Sequence, residues 1–279
     1  MSHATTQSDL RLGEEDVRHY REQGYLIPHY RLPEAQCTAL RTACDRLIAA
    51  DPETRPEHLM NPHLVPWPEG SNPFMQVAAH AAILDMVEQL VGPHLILWIT
   101  RILCKAAGDG QEVPWHQDGQ YWPIRPLATC SVWIALDAVD RHNGCMRFIP
   151  GSHTRDTLYR HRTSTRKNLV LDQEVMPDEF DEGLAVDIEL EPGQMSFHDV
   201  RMIHGSLANT SDRRRAGLIL RFFPATSHFD RATANAPNAQ GFAVTDQPLI
   251  LMRGTDISGR NDFDHGHALW AQRLGTLKI

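Results

Sequence analysis

The order of two hydrophobic patterns constrains the fold of this chain most. Residues 14–93 carry apolar side chains at helical spacing, whereas from residue 95 onward short apolar runs alternate with turn residues. A parallel sheet built from βαβ units needs helices between its strands, but here the helical segments come first. The chain therefore favours an antiparallel β-sandwich or barrel supported by N-terminal helices.

Three helices are expected in the first third of the chain. Residues 14–23 form a charged segment followed by Gly24, a residue type common at helix C-termini. Pro33 opens a second segment with apolar residues at helical spacing. Residues 82–91 form the third helix, which Gly92 and the proline after it terminate.

The strands are expected after residue 94, where each apolar run is bounded by Gly, Pro, Asn or Asp. The expected strands are 95–103, 130–137, 146–149, 184–190, 194–197, 202–207 and 216–223. Many short strands with turn signals between them are typical of a sandwich of jelly-roll type. We therefore predict an α+β fold with a jelly-roll core.

The predicted elements divide a single domain, 1–279, into regions. We expect a flexible tail over 1–9, a mainly helical buttress over 10–93, a jelly-roll core over 94–223 and a C-terminal cap over 224–279. Residues 154–183, basic and then acidic, form an insertion in the core. Long insertions in compact domains are binding loops, lids or disordered segments, so lids and plain surface loops both stay open here.

Composition excludes several classes of protein. The 27 Lys and Arg against 35 Asp and Glu give a formal net charge of −8, unlike the basic surface of a nucleic-acid-binding protein. No apolar run is long enough for a membrane span, and residues 1–16 lack the apolar region of a secretory signal. The five cysteines contain no CxxC pair, which argues against a disulfide framework or zinc cluster. We expect a cytoplasmic protein that binds neither nucleic acid nor membranes.

A His-x-Asp pair, His116 and Asp118, is the sharpest local signal. In an extended chain these two side chains lie on the same side, because side chains alternate with period two. With a second histidine from elsewhere they would form the 2-His-1-carboxylate face that holds Fe(II) in non-haem oxygenases. The pair alone is a weak signal.

A second signal surrounds His204. If the strands carrying His204 and Arg215 formed a hairpin centred on 210–211, Ser206 would lie opposite Arg215 and His204 opposite Gly217. A histidine, a hydroxyl and a guanidinium would then share one face. The guanidinium suits a dicarboxylate co-substrate, which it can bind through two hydrogen bonds. A slip of one residue would move Arg215 to the other face.

The sequence resembles the phytanoyl-CoA dioxygenase family of Fe(II)/2-oxoglutarate oxygenases. The shared motifs, in chain order, are 104–105, 116–118, 121–126, 132–137, 143–146, 150–153, 191–194 and 204–206, then Asn209 and Arg215. They extend over more than a hundred residues in the same order. The family fold is the double-stranded β-helix, a cupin-like jelly roll, which agrees with the strand pattern.

The resemblance implies roles for seven residues. It assigns iron binding and catalysis to His116, Asp118 and His204. Arg215 and Ser206 are implied as the anchor for the distal carboxylate of 2-oxoglutarate. Trp133 and Lys105 occupy positions that in such enzymes can help line the co-substrate site. Family relatives that halogenate have a small residue in place of the carboxylate, so Asp118 disfavours halogenation.

The expected reaction is hydroxylation of a small organic molecule, with O2 consumed and 2-oxoglutarate converted to succinate and CO2. A natural-product intermediate, an amino-acid derivative and an organophosphonate all fit as substrates. Desaturation, cyclisation or epimerisation with the same cofactors remains open. So do a cupin-like metal-binding protein without oxygenase activity and a catalytically silent binding protein, although Arg215 and the intact triad argue against them.

Other residues are expected near the mouth of the site or outside it. Trp67, Tyr121, Trp122 and the polar loop 61–63 are candidates for lining a substrate pocket. His198 would share a face with His204 only in an unbroken strand, and the neighbouring Asp199 suggests a bend. We therefore do not include His198 among the metal ligands.

Overall fold

The computed structural model describes residues 11–68, 70–232, 244–275 and 277. Its helices are α1 (Glu14–Gln23), α2 (Glu34–Ala50), α3 (Pro73–Ala78), α4 (Ala81–Val91) and α5 (His267–Leu274). The three predicted helices are confirmed as α1, α2 and α4. The boundaries of α1 and α4 and the start of α2 lie within one residue of those expected, and no end was predicted for α2. The predicted tail over 1–9 lies outside the described residues.

Local signals explain where the helices begin and end. Gly24 follows α1 with a φ of 80°, a left-handed conformation that glycine adopts without steric cost. Pro33 stands directly before α2. The short helix α3 was not predicted, although Asn72 caps it by accepting hydrogen bonds from the backbone N–H groups of Phe74 and Met75.

The strands form two main antiparallel sheets. In chain order they are β1 (Tyr25–Leu26), β2 (Leu95–Lys105), β3 (Val113–His116), β4 (Ile124–Arg125), β5 (Cys130–Ala135), β6 (Met146–Phe148), β7 (His161–Thr163), β8 (Gln173–Val175), β9 (Val186–Ile188), β10 (Met195–Asp199), β11 (His204–Ser206), β12 (Arg215–Pro224), β13 (His228–Phe229) and β14 (Ile250–Arg253). The larger sheet has the order β1-β10-β5-β12-β2-β14, and the smaller sheet has the order β3-β11-β6-β9. Each predicted strand has a counterpart, and the predicted antiparallel arrangement is confirmed.

Strand β12 shows how the larger sheet divides its two faces. Leu218 and Leu220 belong to the same buried cluster as Leu40 of α2 and Ile83 of α4. The alternate positions of β12 face away from these helices, because strand side chains alternate between the two faces of a sheet. These positions carry Arg215, Gly217, Ile219, Arg221 and Phe223.

The insertion over 154–183 contains a hairpin of β7 and β8. Glu174 in β8 forms ion pairs with Arg162 at 2.8 Å and with Arg166 at 3.0 Å.

Among the described segments we find no helix whose length and hydropathy would let it cross a bilayer. The helices and the two antiparallel sheets together match the predicted α+β class of fold.

Candidate active site

Three potential metal ligands converge between the two main sheets. His116 ends β3, Asp118 begins a short 3-10 helix, and His204 begins β11. Their ligand atoms lie within 4.8 Å of one another, and all three residues are buried. The ladder pairs His204 directly with His116. Gln117 between the first two is extended, with φ −117° and ψ 129°, which keeps His116 and Asp118 on one side.

Hydrogen bonds fix the orientation of both triad imidazoles. Nδ1 of His116 donates to the Pro114 carbonyl at 2.9 Å, and Nδ1 of His204 donates to the Met202 carbonyl at 3.0 Å. Because a carbonyl oxygen can only accept, each Nδ1 carries the proton and each Nε2 keeps its lone pair. This is the tautomer that a metal-binding histidine needs.

The protonation states of the triad also suit a metal. Burial alone would raise the pKa of Asp118, but the Arg221 charge and contacts from His116 and His198 hold it well below its ordinary value. Burial and the neighbouring His116 lower the pKa of His204 well below its usual range. Metal ligands must be deprotonated. Oδ2 of Asp118 is buried and has no hydrogen-bond partner among the described residues, so a cation is a fitting complement.

His198 lies beside the triad even though the strand is broken after Asp199, as expected. Strand β10 ends at Asp199, where the Met202 backbone N–H donates to the Asp199 carbonyl, and Nε2 of His198 lies 3.8 Å from Oδ2 of Asp118. The His198 ring is fully buried, its centroid is 4.9 Å from that of His204, and neither ring nitrogen has a hydrogen-bond partner among the described residues. Its atoms do not complete the compact ligand set, which contains the other three residues.

The predicted hairpin between the strands of His204 and Arg215 is wrong. Strand β11 pairs with β3 and β6 in the smaller sheet, whereas β12 pairs with β2 and β5 in the larger one. Residues 207–214 therefore carry the chain from one sheet to the other. Asn209 holds this crossing by donating to the carbonyls of Ala106 at 2.9 Å and Arg213 at 2.7 Å.

Arg215, Ser206 and Lys105 nevertheless meet at one end of the same cavity. Lys105 is the ladder partner of Arg215, and its Nζ donates to Ser206 Oγ at 2.7 Å and to the Leu207 carbonyl. The Nε of Arg215 is buried and has no hydrogen-bond partner in the part of the chain that the structure describes. Burial lowers the pKa of Arg215 to about 10, so it stays charged at neutral pH. The cluster can hold a carboxylate.

Trp133 packs against the Arg215 guanidinium of this cluster. The guanidinium carbon lies 4.9 Å from the centroid of the Trp133 ring, and Trp133 is not among the residues that line the cavity. Gly217 makes room for it, because a Cβ atom at Gly217 would come within 2.0 Å of the Trp133 ring. The Trp133 ring therefore occupies the space that a side chain at Gly217 would fill, so this space is not open to a ligand beside His204.

The cavity has a volume of about 680 Å³, within the range typical of small-molecule sites. Tyr121 and Trp122 line it as expected, but Trp67 and the loop 61–63 do not. Trp67 packs against Phe74 instead, with ring centroids 6.0 Å apart. His63 is buried against Thr100 Oγ1 at 2.8 Å, and burial lowers its pKa to about 3.

Sequence reasoning missed two parts of the wall. Seven residues of the insertion line the cavity: Ser164, Arg166, Asn168, Leu169, Val170, Leu171 and Asp172. Arg101 and Arg221 also line it, and Arg221 NH2 lies 3.7 Å from Asp118 Oδ1. Two arginines within apolar strand segments, Arg221 buried and Arg101 half-buried, were the available signal for the second group.

Two histidines and a carboxylate on one face, with a buried arginine in the same cavity, are the arrangement typical of non-haem iron oxygenases. The chain belongs to the phytanoyl-CoA dioxygenase (PhyH) family, whose model matches residues 20–217. Enzymes of this family use Fe(II) and 2-oxoglutarate. The resemblance found in the sequence is therefore confirmed.

Individual relatives agree with this membership. Human peroxisomal phytanoyl-CoA dioxygenase is 25% identical over 237 residues, which cover 77% of this chain and 69% of that protein. The apo structure of the non-heme monooxygenase ThoJ is similar with a TM-score of 0.71 and 26% identity, covering 94% of this chain and 95% of that one. The alpha-ketoglutarate-dependent carbocyclase SnoK from nogalamycin biosynthesis has a TM-score of 0.61 and 27% identity, covering 78% and 86%.

Proposed function

We propose that this chain is an Fe(II)- and 2-oxoglutarate-dependent dioxygenase that hydroxylates a small organic molecule. The observation that carries the proposal is one cavity that contains both the compact His116, Asp118 and His204 set and the buried Arg215. Bound iron supplies activation of O2, coupled to decarboxylation of 2-oxoglutarate to succinate and CO2. We interpret the two main sheets as a double-stranded β-helix.

In this proposal the triad residues hold the iron through two imidazole nitrogens and one carboxylate. Arg215 and Ser206 bind the distal carboxylate of 2-oxoglutarate, and Lys105 adds a donor beside them. Trp133 keeps the Arg215 guanidinium in place. Because Asp118 occupies the carboxylate position, hydroxylation is favoured over halogenation.

We further propose a single oxygenase domain in which the insertion over 154–183 and the C-terminal cap cover the substrate site. Residues of both regions line the cavity, among them Leu171 and Val244. Covering elements of this kind exclude water from the reaction and orient the target C–H bond. A cytoplasmic location stays a prediction, which imaging of the tagged full chain would test.

The test is a substrate screen that measures succinate formation in the presence of Fe(II), 2-oxoglutarate and O2. Succinate formation that needs iron and is lost in His204→Ala supports an oxygenase. A protein that binds metal but never consumes 2-oxoglutarate would be a non-oxygenase cupin, and the proposal would be wrong. Product analysis by mass spectrometry then separates hydroxylation from the desaturation, cyclisation and epimerisation outcomes.

A further inference from the structure

The cavity contains a second cationic group away from Arg215. Arg101 is the ladder partner of Ile219, and Arg221 lies two residues further along β12 on the same face. Six residues of extended strand separate Arg221 from Arg215, a distance of roughly 20 Å at about 3.3 Å per residue. The guanidiniums of Arg101 and Arg221 are close to each other. Burial is the main cause that lowers the pKa of Arg101 to about 10, and the charge of Arg221 is the second cause.

Arg221 has unused hydrogen-bonding capacity. It is 9% exposed, lines the cavity, and makes no hydrogen bond with any described residue. Its ion pair with Asp118 is loose, at 3.7 Å, and its Nε is buried without a partner. The ring of Trp122 lies 4.8 Å from the guanidinium and limits its movement. A buried guanidinium without hydrogen bonds is costly unless a ligand supplies the acceptors.

The Arg101 guanidinium makes two hydrogen bonds to other groups of the protein. Its Nε donates to the Glu57 carbonyl at 3.0 Å, and one terminal nitrogen donates to Nδ1 of His58 at 2.9 Å. These contacts fix the direction of the guanidinium and leave its other terminal nitrogen without a protein partner among the described residues. Arg101 therefore offers a positioned donor near Arg221.

The charges lining the cavity do not balance. Arg101, Lys105, Arg215 and Arg221 face only Asp118 and Glu57 among the buried or half-buried lining residues, and Glu57 already pairs with Arg55 at 3.2 Å. Fe(II) and the 2-oxoglutarate dianion cancel each other's charge, so loading the site would not remove the surplus. Burial lowers the pKa of Lys105 well below its ordinary value, yet three guanidiniums still face two carboxylates.

We propose that Arg101 and Arg221 form an anion subsite that binds a carboxylate, sulfonate or phosphonate group of the substrate. Arginine suits these groups because its planar donors match their oxygens in pairs. Trp98, Ile99 and Trp122 provide an apolar wall beside the subsite. The substrate class is therefore a small organic acid with an apolar body, and this inference rests on the proposed function.

The test measures equilibrium binding by isothermal titration calorimetry to protein loaded with Fe(II) and 2-oxoglutarate in the absence of O2. The probes are hexanoate, hexanesulfonate and hexylphosphonate, with hexanol as the neutral control of the same chain length. We expect at least one acid to bind at least tenfold more tightly than hexanol, which corresponds to about 1.4 kcal/mol. Equal binding of acid and alcohol, or no binding of any acid, would overturn the proposal.

Substitutions identify the residues that cause the preference for the acids over hexanol. Arg101→Gln and Arg221→Gln should each abolish most of the preference for the acid. Arg213→Gln should preserve it, because Arg213 is not among the residues that line the cavity and pairs with Asp140. A preference that survives both cavity variants would contradict the assignment.

A titration with Mn(II) separates substrate binding from a purely structural role. If Arg221→Gln weakens Mn(II) binding and leaves the preference for the acid intact, Arg221 is merely a counter-ion of Asp118 and the proposal is wrong. Loss of 2-oxoglutarate binding in Arg221→Gln but not in Arg215→Gln would also overturn it, since the two anion positions would be exchanged.

Failure of the proposed function gives a different result. If 2-oxoglutarate does not bind the wild-type protein, the acids are titrated against the metal-free protein. An acid preference that Arg101→Gln removes would then support the subsite even though the oxygenase proposal had failed. Absence of that preference would overturn the subsite as well.

Discussion

Replacing Arg215 by glutamine is the sharpest test of the proposed co-substrate site. The guanidinium is 3% exposed, and its hydrogen bonding to described residues is limited to a long contact of 3.5 Å with the Leu103 carbonyl. Glutamine keeps a polar side chain of similar reach but removes the charge. The distal carboxylate of 2-oxoglutarate would then lack its main partner.

The expected loss of affinity follows from burial. Removing one partner of a buried ion pair costs about 3–5 kcal/mol, on the order of a hundred- to several-thousand-fold in affinity. Lys105 should offset part of this loss. The Arg215 charge is the second cause, after burial, of the lowered pKa of Lys105, so Lys105 takes up a proton more readily in the variant. We therefore expect a loss near the lower limit, roughly a hundredfold.

The same argument predicts a pH dependence. The dianion favours protonated Lys105, whose pKa is lowered by burial in the folded protein. As pH rises, Lys105 loses its proton, so the residual affinity of Arg215→Gln for 2-oxoglutarate should fall. An affinity that rises with pH would contradict the role of Lys105.

The assay is anaerobic titration of 2-oxoglutarate into Fe(II)-loaded protein. Arg213→Gln is the matched control, because Arg213 is an exposed arginine two residues away that pairs with Asp140. Iron affinity without co-substrate should barely change in either variant. A change of less than about threefold in Arg215→Gln, well under one tenfold step of 1.4 kcal/mol, would refute the assignment of the anchor. So would an equal loss in Arg213→Gln.

Three further predictions test the surroundings of the site. Alanine at any one triad residue should abolish stoichiometric Fe(II) binding with an unchanged circular dichroism spectrum, and full binding would remove that residue from the ligand set. Ser206→Ala should weaken 2-oxoglutarate binding by about 1.5 kcal/mol, the lower limit for one hydrogen bond to a charged group; calorimetry showing a loss as large as for Arg215→Gln would contradict this. Gly217→Ala should lower the free energy of unfolding by about 1–3 kcal/mol in urea, because its Cβ would overlap Trp133. Gly13→Ala, whose Cβ would lie 3.7 Å from its nearest neighbour, should lose only the preference for glycine over alanine at the N-cap of α1, and a loss as large as that of Gly217→Ala would show that packing is not the cause.

The elements set by local signals were predictable from the sequence. Gly24 and Pro33 mark helix boundaries through their own backbone preferences, so α1 and α2 were located closely. Seven described strands of two to four residues were not predicted: β1, β3, β4, β7, β8, β13 and β14. They exist because other strands pair with them, as β10 does with β1 and β13 with β4. Such short segments carry no periodicity that a sequence pattern could detect.

The pairing of strands was the part that local reasoning could not supply. A polar turn between two apolar segments favours a hairpin, and this expectation failed for β11 and β12 because they belong to different sheets. Ser206 and Arg215 line one cavity, as both the assumed hairpin and the family resemblance implied, but Lys105 connects them by pairing with Arg215 in the ladder and donating to Ser206. Their roles as a carboxylate anchor stay predictions.

The sequence of strand β12 contains one more signal, its two arginines, that could have been used without the structure. Every residue of this strand is buried, including Arg215 and Arg221. A strand covered on both faces is normally an apolar run, because burying an uncompensated charge is expensive. Both arginines lie on the face directed away from the helices, so each needs an anion between the sheets. Asp118 is a loose partner for Arg221 at 3.7 Å, and it would also be a ligand of the proposed iron. The spacing of two arginines in one buried strand thus argues for two bound anions, one at each end of the cavity.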